Sequence, residues 1–124
     1  MIYLDTHVVV WLYAGEHSRF AGAARRLIET EPLLISPALL LELALLEETG
    51  RIRTRARTIL MELQESMALS ICDLPFAEVC ITSLQQNWTL DPFDRLIVAQ
   101  AFARGAKLIT KDRFIRRYFK DAVW

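Results

Sequence analysis

The 124-residue chain reads as an α/β protein, a three-layer α/β/α sandwich around a central parallel sheet of four to five short strands. Two observations predict this. Short apolar runs of strand length, Ile2-Tyr3-Leu4, Leu33-Leu34-Ile35, Ala68–Cys72 and Lys107–Thr110, recur along the chain. Between them stand longer segments whose apolar residues repeat at helical spacing. Strands separated by helices imply a parallel sheet with helices on both faces. In such sheets ligands gather at the carboxyl ends of the strands.

Taken in order, residues 2–5 form a strand, and the apolar segment Thr6–Ala14 forms a helix with Gly15 as its stop. A helix over 18–30 sets Phe20, Ala23, Ala24, Leu27 and Ile28 on one face, and Leu33-Leu34-Ile35 is the second strand. Ser36 caps the next helix with Pro37 at its first position, and that helix runs to about Thr49 before Gly50. A helix over 53–66 places Ala56, Ile59, Leu60 and Leu63 at core spacing, and Ala68–Cys72 is the third strand. The helix over 75–86 is expected to bury Phe76, Val79, Cys80 and Leu84. Asp91-Pro92 opens a helix that ends near Gly105, followed by the strand Lys107–Thr110. The last twelve residues hold a basic helical turn, and Ala122-Val123-Trp124 adds an edge strand. No linker, repeat or low-complexity stretch interrupts this order, so residues 1–124 read as one domain.

Composition narrows the class. With 53% hydrophobic and 24% charged residues the chain can bury a core, which excludes disorder. Its apolar runs are broken by charge and fall short of a membrane span, and Met1–Asp5 lacks the basic start of a signal peptide. Cys72 and Cys80 are too few for a disulfide framework and wrongly spaced for zinc, so both read as buried apolar residues of a cytoplasmic protein. The net charge of zero argues against a constitutive nucleic-acid coat, yet the charges are segregated. Residues 58–94 hold six acids and no Lys or Arg, whereas residues 95–124 hold eight bases and two acids. Such segregation can set an acidic site beside basic surface.

Five carboxylates stand at strand ends, at a helix start or inside an apolar helix. Asp5 ends the first strand; it can cap the helix that follows, but an ionised carboxylate buried there needs a partner. Glu42 lies inside Ala38–Leu46, a helix apolar almost all round and therefore expected to be buried on most sides. Asp91 and Asp94 fall at the cap and third position of a helix that turns apolar at once, so capping and the helix dipole suit both. Asp112 follows the fourth strand, where it can cap the last helical turn. Clustered together, such acids raise one another's pKa or bind cations. Oxygen ligands without His or Cys point to Mg²⁺ or Mn²⁺ and to metal-assisted phosphodiester hydrolysis.

At this point the residues match a family. Leu4-Asp5-Thr6, Glu42 in the leucine-rich helix, the run Asp91-Pro92-Phe93-Asp94-Arg95-Leu96-Ile97-Val98-Ala99-Gln100-Ala101, and Leu108-Ile109-Thr110-Lys111-Asp112 resemble a PIN domain in order and spacing. The third segment is similar to the Asp-Pro-Phe-Asp-Arg signature common in bacterial VapC-type toxins. The resemblance implies an endoribonuclease whose acidic quartet Asp5, Glu42, Asp94 and Asp112 holds one or two Mg²⁺ or Mn²⁺ ions. Thr6 and Thr110 would orient neighbours or waters, with Asp91 a second-tier candidate. It also implies an RNA substrate (tRNA, rRNA or mRNA), homodimerisation, and inhibition by a small VapB-like antitoxin. Phosphate contacts would come from Arg51, Arg53, Arg95, Arg113 and Arg116, with Arg55, Arg57 and Arg117 as further surface arginines. Trp11, Trp88 and Trp124 can stack on bases, although packing suits them equally. Where relatives carry a His before the signature, this chain has Asn87-Trp88-Thr89-Leu90.

Other classes fit less well. A receiver-like signalling domain would use Asp73 and Lys111, but only Asp5 flanks the first strand and Glu42 would be purposeless. A haloacid-dehalogenase-type phosphatase needs an acid where His7 stands. No glycine-rich phosphate loop exists for a nucleotide fold. A catalytically idle PIN-like module that binds RNA or protein would not need all four acids.

Overall fold

A computed structural model describes residues 1–124. Five strands, β1 (Ile2–Leu4), β2 (Leu33–Ile35), β3 (Ser70–Ile71), β4 (Lys107–Ile109) and β5 (Ala122–Val123), form one sheet in the order β3-β2-β1-β4-β5. Every pairing is parallel. The connections carry α1 (Thr6–Tyr13), α2 (Gly22–Thr30), α3 (Pro37–Glu48), α4 (Ala56–Met67), α5 (Phe76–Ser83), α6 (Pro92–Arg104) and α7 (Arg113–Tyr118). The chain builds outward from β1 through β2 to β3, then crosses back to β4. The topological switch point therefore lies between β1 and β4.

The elements form where local chemistry asks for them. Ser36 accepts from the Ala38 amide and Pro37 occupies the first turn of α3. The helix α6 closes on Gly105 at φ +63, the left-handed conformation that ends a helix without a Cβ penalty. Ile2, Tyr3, Leu4, Leu33, Ile35, Leu108 and Ile109 are all buried, as expected of strands covered on both faces. The central core joins them to Val8 and Val9 of α1, Leu39 and Leu43 of α3, and Ile97, Val98 and Ala101 of α6.

Three expectations need correction. The helix read over 18–30 is split: a 3₁₀ turn at His17–Arg19 is followed by extended Phe20, and only then by α2. The break lets Phe20 drop into the core, where it is 4% exposed. Helix α5 buries Val79 but leaves Phe76 and Leu84 outside, at 66% and 71% exposure, and Cys80 is half-buried. The α5 segment is apolar on more than one side and packs chiefly against α6, so residue type alone misassigns the outer face. Helix α3 likewise buries Leu39 and Leu43 but exposes Leu41 and Leu45. Cys72 is buried as read, with the Tyr3 hydroxyl donating to its sulfur at 2.8 Å.

Candidate active site

The site is assembled at the carboxyl ends of β1 and β4. Their register pairs Tyr3 with Leu108 and Leu4 with Ile109, which brings the next residues, Asp5 and Thr110, side by side. Asp5 Oδ1 accepts from the Thr6 amide at 2.8 Å, capping α1. Its Oδ2 accepts from the Thr110 hydroxyl at 2.6 Å. The same hydroxyl oxygen accepts from the Asp112 amide at 3.0 Å, and Asp112 Oδ1 caps α7 through the Ile115 amide at 2.9 Å. Two strand ends and two helix starts are thus tied by one threonine.

The other side comes from α3 and α6, which pack on each other. Asp91 caps α6 with one oxygen, accepting from the Phe93 and Asp94 amides at 2.8 and 3.0 Å. Asp94 follows one turn in, half-buried. Glu42 projects from the second turn of α3 and is also half-buried. Facing it is the hydroxyl of Thr6, fully buried and without a hydrogen-bond partner, near Glu42 but not closed onto it. The two helices are linked beneath the site by the Ser36 hydroxyl, which donates to Gln100 Oε1 at 3.1 Å.

Electrostatics show that the acids are mutual neighbours. Asp94 is pushed up to about 7, first by burial and then by the charges of Asp91, Asp5, Asp112 and Glu42. Burial also raises Glu42, with Asp5 and Asp91 adding to the shift, and raises Asp5 against the donors that hold it. No cation is spent on them. The ion pairs join the Met1 amino group to Glu31, Arg19 to Glu16, Arg25 to Glu29 and Arg104 to Asp73, and none involves the site. Asp73, which a receiver domain would need as its phosphoacceptor, is a surface partner of Arg104 instead.

No three acidic, His or Cys side chains close around a single point. The donor set nevertheless fits a hard divalent cation, because Mg²⁺ takes one or two carboxylates and keeps most of its water. An orphaned buried hydroxyl at Thr6 and repelling, unpaired carboxylates are what such a hydrated cation would satisfy.

Asp5, Glu42, Asp91 and Asp112 all lie within electrostatic reach of Asp94, Thr110 is bonded to Asp5, and Thr6 stands near Glu42. Asp91 exerts the largest single repulsion on Asp94, which raises its standing from a mere cap. The arginines are more dispersed. Arg95 turns back to donate from Nε to the Thr89 carbonyl at 2.7 Å, while Arg113 and Arg116 are exposed on α7 just past Asp112. Arg51 and Arg53 are exposed on the α3–α4 connection and touch none of the acids. Two residues outside the candidate set stand beside the acids. His7, exposed at the start of α1, is close enough to ease the charges of Asp5 and Glu42, and Lys111 lies between Thr110 and Asp112. Their positions adjoining Asp5 and Asp112 were the signal available in the sequence.

The fold and site define a parallel α/β protein with an acidic cluster at its switch point. Residues 2–120 match the PIN domain family, and the chain belongs to that family. It is 32% identical over 120 residues to Ribonuclease VapC22 of Mycobacterium tuberculosis, covering 94% of this chain and 91% of the relative. Among solved structures it is similar to a VapBC2 complex of Rickettsia felis bound to a promoter DNA fragment (TM-score 0.69, 21% identity, 100% of this chain and 98% of that one). It is equally similar to a toxin–antitoxin complex from Klebsiella pneumoniae (TM-score 0.69, 19% identity, 100% and 97% covered). At those identities the likeness is one of fold.

Proposed function

We propose that this chain is a metal-dependent endoribonuclease of the VapC type, the toxin of a toxin–antitoxin pair. The observation that carries the proposal is the cluster of carboxylates without cationic partners at the switch point, with Asp94 pushed up to about 7. A curated relative named as a ribonuclease supports RNA as the substrate, whether tRNA, rRNA or mRNA.

Asp5, Glu42, Asp94 and Asp112 would hold Mg²⁺ or Mn²⁺, which when bound supplies Lewis acidity toward a phosphate oxygen and a strongly acidified water. The chain's own part is positional. Thr110 locks Asp5 and the Asp112 loop into one arrangement. Asp91 holds the amide of Asp94 and so fixes the start of α6. The unspent Thr6 hydroxyl is free to orient a water or a phosphate oxygen against Glu42. No side chain is assigned as a general base. Arg51, Arg53, Arg95, Arg113 and Arg116 would meet RNA phosphates beyond the acids.

The exposed apolar rows Leu41 and Leu45 on α3, and Phe76 and Leu84 on α5, support protein partners: a VapB-like antitoxin and a second copy of the chain. No helix is long and apolar enough to cross a membrane. We assign the protein to the cytoplasm because the proposed RNA substrates are there.

The test is cleavage of a mixed RNA pool by purified protein with Mg²⁺ or Mn²⁺. Cleavage is expected to stop in EDTA and in Asp5→Ala and Asp94→Ala. Equal cleavage by wild type and variants would mark a contaminant and end the assignment. Expression alone should arrest growth, and the product of a neighbouring small gene should relieve the arrest.

A further inference from the structure

Thr110 joins Asp5 to the Asp112 loop, and the join holds only while the threonine's own backbone is fixed. Its amide donates to the Val123 carbonyl at 3.0 Å, so the fixing partner is the edge strand β5. That strand is two residues long and has β4 as its one neighbour in the sheet. Pairing so short adds little stability of its own and needs an anchor. The bond from the Leu108 amide to the Asp121 carbonyl, at 3.1 Å, lies at the far end of the pair and leaves Thr110 dependent on Val123.

Trp124, the residue after β5, supplies the anchor. Its indole meets Trp11 edge to face with ring centroids 5.7 Å apart, and meets the buried Phe20 in the same way at 5.7 Å. Trp11 and Phe20 are 6.4 Å apart and form the platform on which Trp124 is seated. Trp11 belongs to α1, the helix that Asp5 caps. Seating Trp124 therefore fastens β5 to the element that starts at Asp5. Lys111 closes the third side. Its Nζ lies 6.0 Å from the Trp11 centroid and 5.9 Å from the Trp124 centroid, and it joins no ion pair. Those distances are at the roughly 6 Å limit of a cation–π contact. The Arg19 guanidinium packs on Trp11 at 4.7 Å, so that ring is taken up in packing and not offered to a ligand. The turn Thr110–Asp112 is thus held at its first residue through the Val123 carbonyl and at its middle residue through the indoles.

We infer that Trp124 is a positioning residue for the acidic site: seated on Trp11 and Phe20, it holds β5 against Thr110 and so fixes Asp5 and Asp112 in the arrangement that takes a divalent cation. This rests on the reading of the acids as a cation site and adds the part of the fold that keeps the site in shape. Trp124 acts through Thr110, not by touching the cation or the RNA.

The experiment compares wild type with Trp124→Ala and Trp124→Phe. Mn²⁺ binding to the RNA-free protein is measured by calorimetry, at a temperature where circular dichroism shows each variant folded. Trp124→Ala should bind Mn²⁺ about 10-fold more weakly, the loss expected when a group that orients a ligand is removed. Trp124→Phe, which keeps a ring edge on Phe20, should restore most of the affinity. In metal-free protein the Thr110 amide should exchange its hydrogen faster in Trp124→Ala than in wild type. The Mn²⁺ concentration giving half-maximal RNA cleavage should rise in parallel with the binding constant. Thr110→Val removes the hydroxyl that carries the effect, so adding Trp124→Ala to it should weaken Mn²⁺ binding far less than in wild type. Unchanged Mn²⁺ affinity or unchanged Thr110 exchange in Trp124→Ala, or an equal loss in the Thr110→Val background, overturns the brace and leaves the nuclease standing. A Trp124→Ala chain that falls in Tm but keeps its affinity does the same, since Trp124 would then serve the fold alone. If Trp124→Ala does not fold, Trp124→Leu, which keeps apolar bulk without a ring, is read by the same outcomes. A wild type that neither binds Mn²⁺ nor cleaves RNA overturns the brace and the cation site together.

Discussion

Asp94 combines burial with four like-charged neighbours, and its position one turn into α6 leaves it no compensating donor. Its carboxyl is pushed up to about 7, above its ordinary value of 3.8. A raised carboxyl binds its proton more tightly folded than unfolded, so stability is greatest below the ordinary value and falls as pH rises from about 4 to about 7. Melting in EDTA should therefore give a higher Tm at pH 5 than at pH 7.5, and Asp94→Asn should flatten much of that slope. An unchanged slope would mean that Asp94 is solvated and ionised like a surface acid. Added Mg²⁺ should raise the Tm of wild type at pH 7.5 and leave Asp94→Asn nearly unmoved. In RNA cleavage the same variant should lose on the order of 100-fold or more, the several kcal/mol expected of a lost metal ligand. Asp91→Ala separates the roles: loss of the cap costs about 1 kcal/mol of stability, and its removal should also lower the Asp94 pKa, read by NMR titration of the side-chain carboxyl. Asp94 was legible because its motif and the apolar run after it stand together in the chain. The repulsion that sets its pKa was not, because Asp5, Glu42 and Asp112 lie far from it in sequence.

The elements that carry the acids are held to each other by polar contacts inside an apolar core. Ser36 caps α3 with its oxygen and donates its proton to Gln100 of α6, which is 2% exposed. Ser36→Ala removes the cap and strands the Gln100 amide, a loss of about 2–3 kcal/mol by the worth of a cap and of a buried unmet partner. Chemical denaturation measures it, and a change under about 0.5 kcal/mol, the range of an ordinary surface substitution, would show that the pair does not brace the helices. The apolar packing of α3 has a separate test in Leu43→Ala, expected to cost about 2–5 kcal/mol because the residue is fully buried against the core. Leu41→Ala, on the same helix but 59% exposed, should cost far less. Helix existence was readable from Ser36-Pro37 and Asp91-Pro92, since capping is local. Which leucines face inward was not, because α3 is apolar on nearly every side and periodicity has no contrast to report.

For the whole molecule, the five-stranded parallel sheet is closed by helices, yet apolar side chains remain outside. Phe76 and Leu84 share the outer face of α5, and Leu90 beyond it is 91% exposed. If that row is where two copies meet, Phe76→Ser with Leu84→Ser should convert a dimer to a monomer in light scattering while leaving the circular dichroism spectrum intact. A wild type that is monomeric at tens of micromolar would remove the row from self-association. The sequence by itself determined the alternation of strands and helices, the capped starts of α3 and α6, and the residue types able to hold a hard cation, because each depends on neighbours within one or two turns. Only the tertiary structure decided that β1 and β4 are adjacent at the switch point, which sets Thr110 on Asp5 and brings Glu42 and Asp94 toward them. It also decided that Phe20, Trp11 and Trp124 share one platform. Strand order and long-range packing follow from how all the apolar faces are buried at once, and no single segment of the chain carries that information.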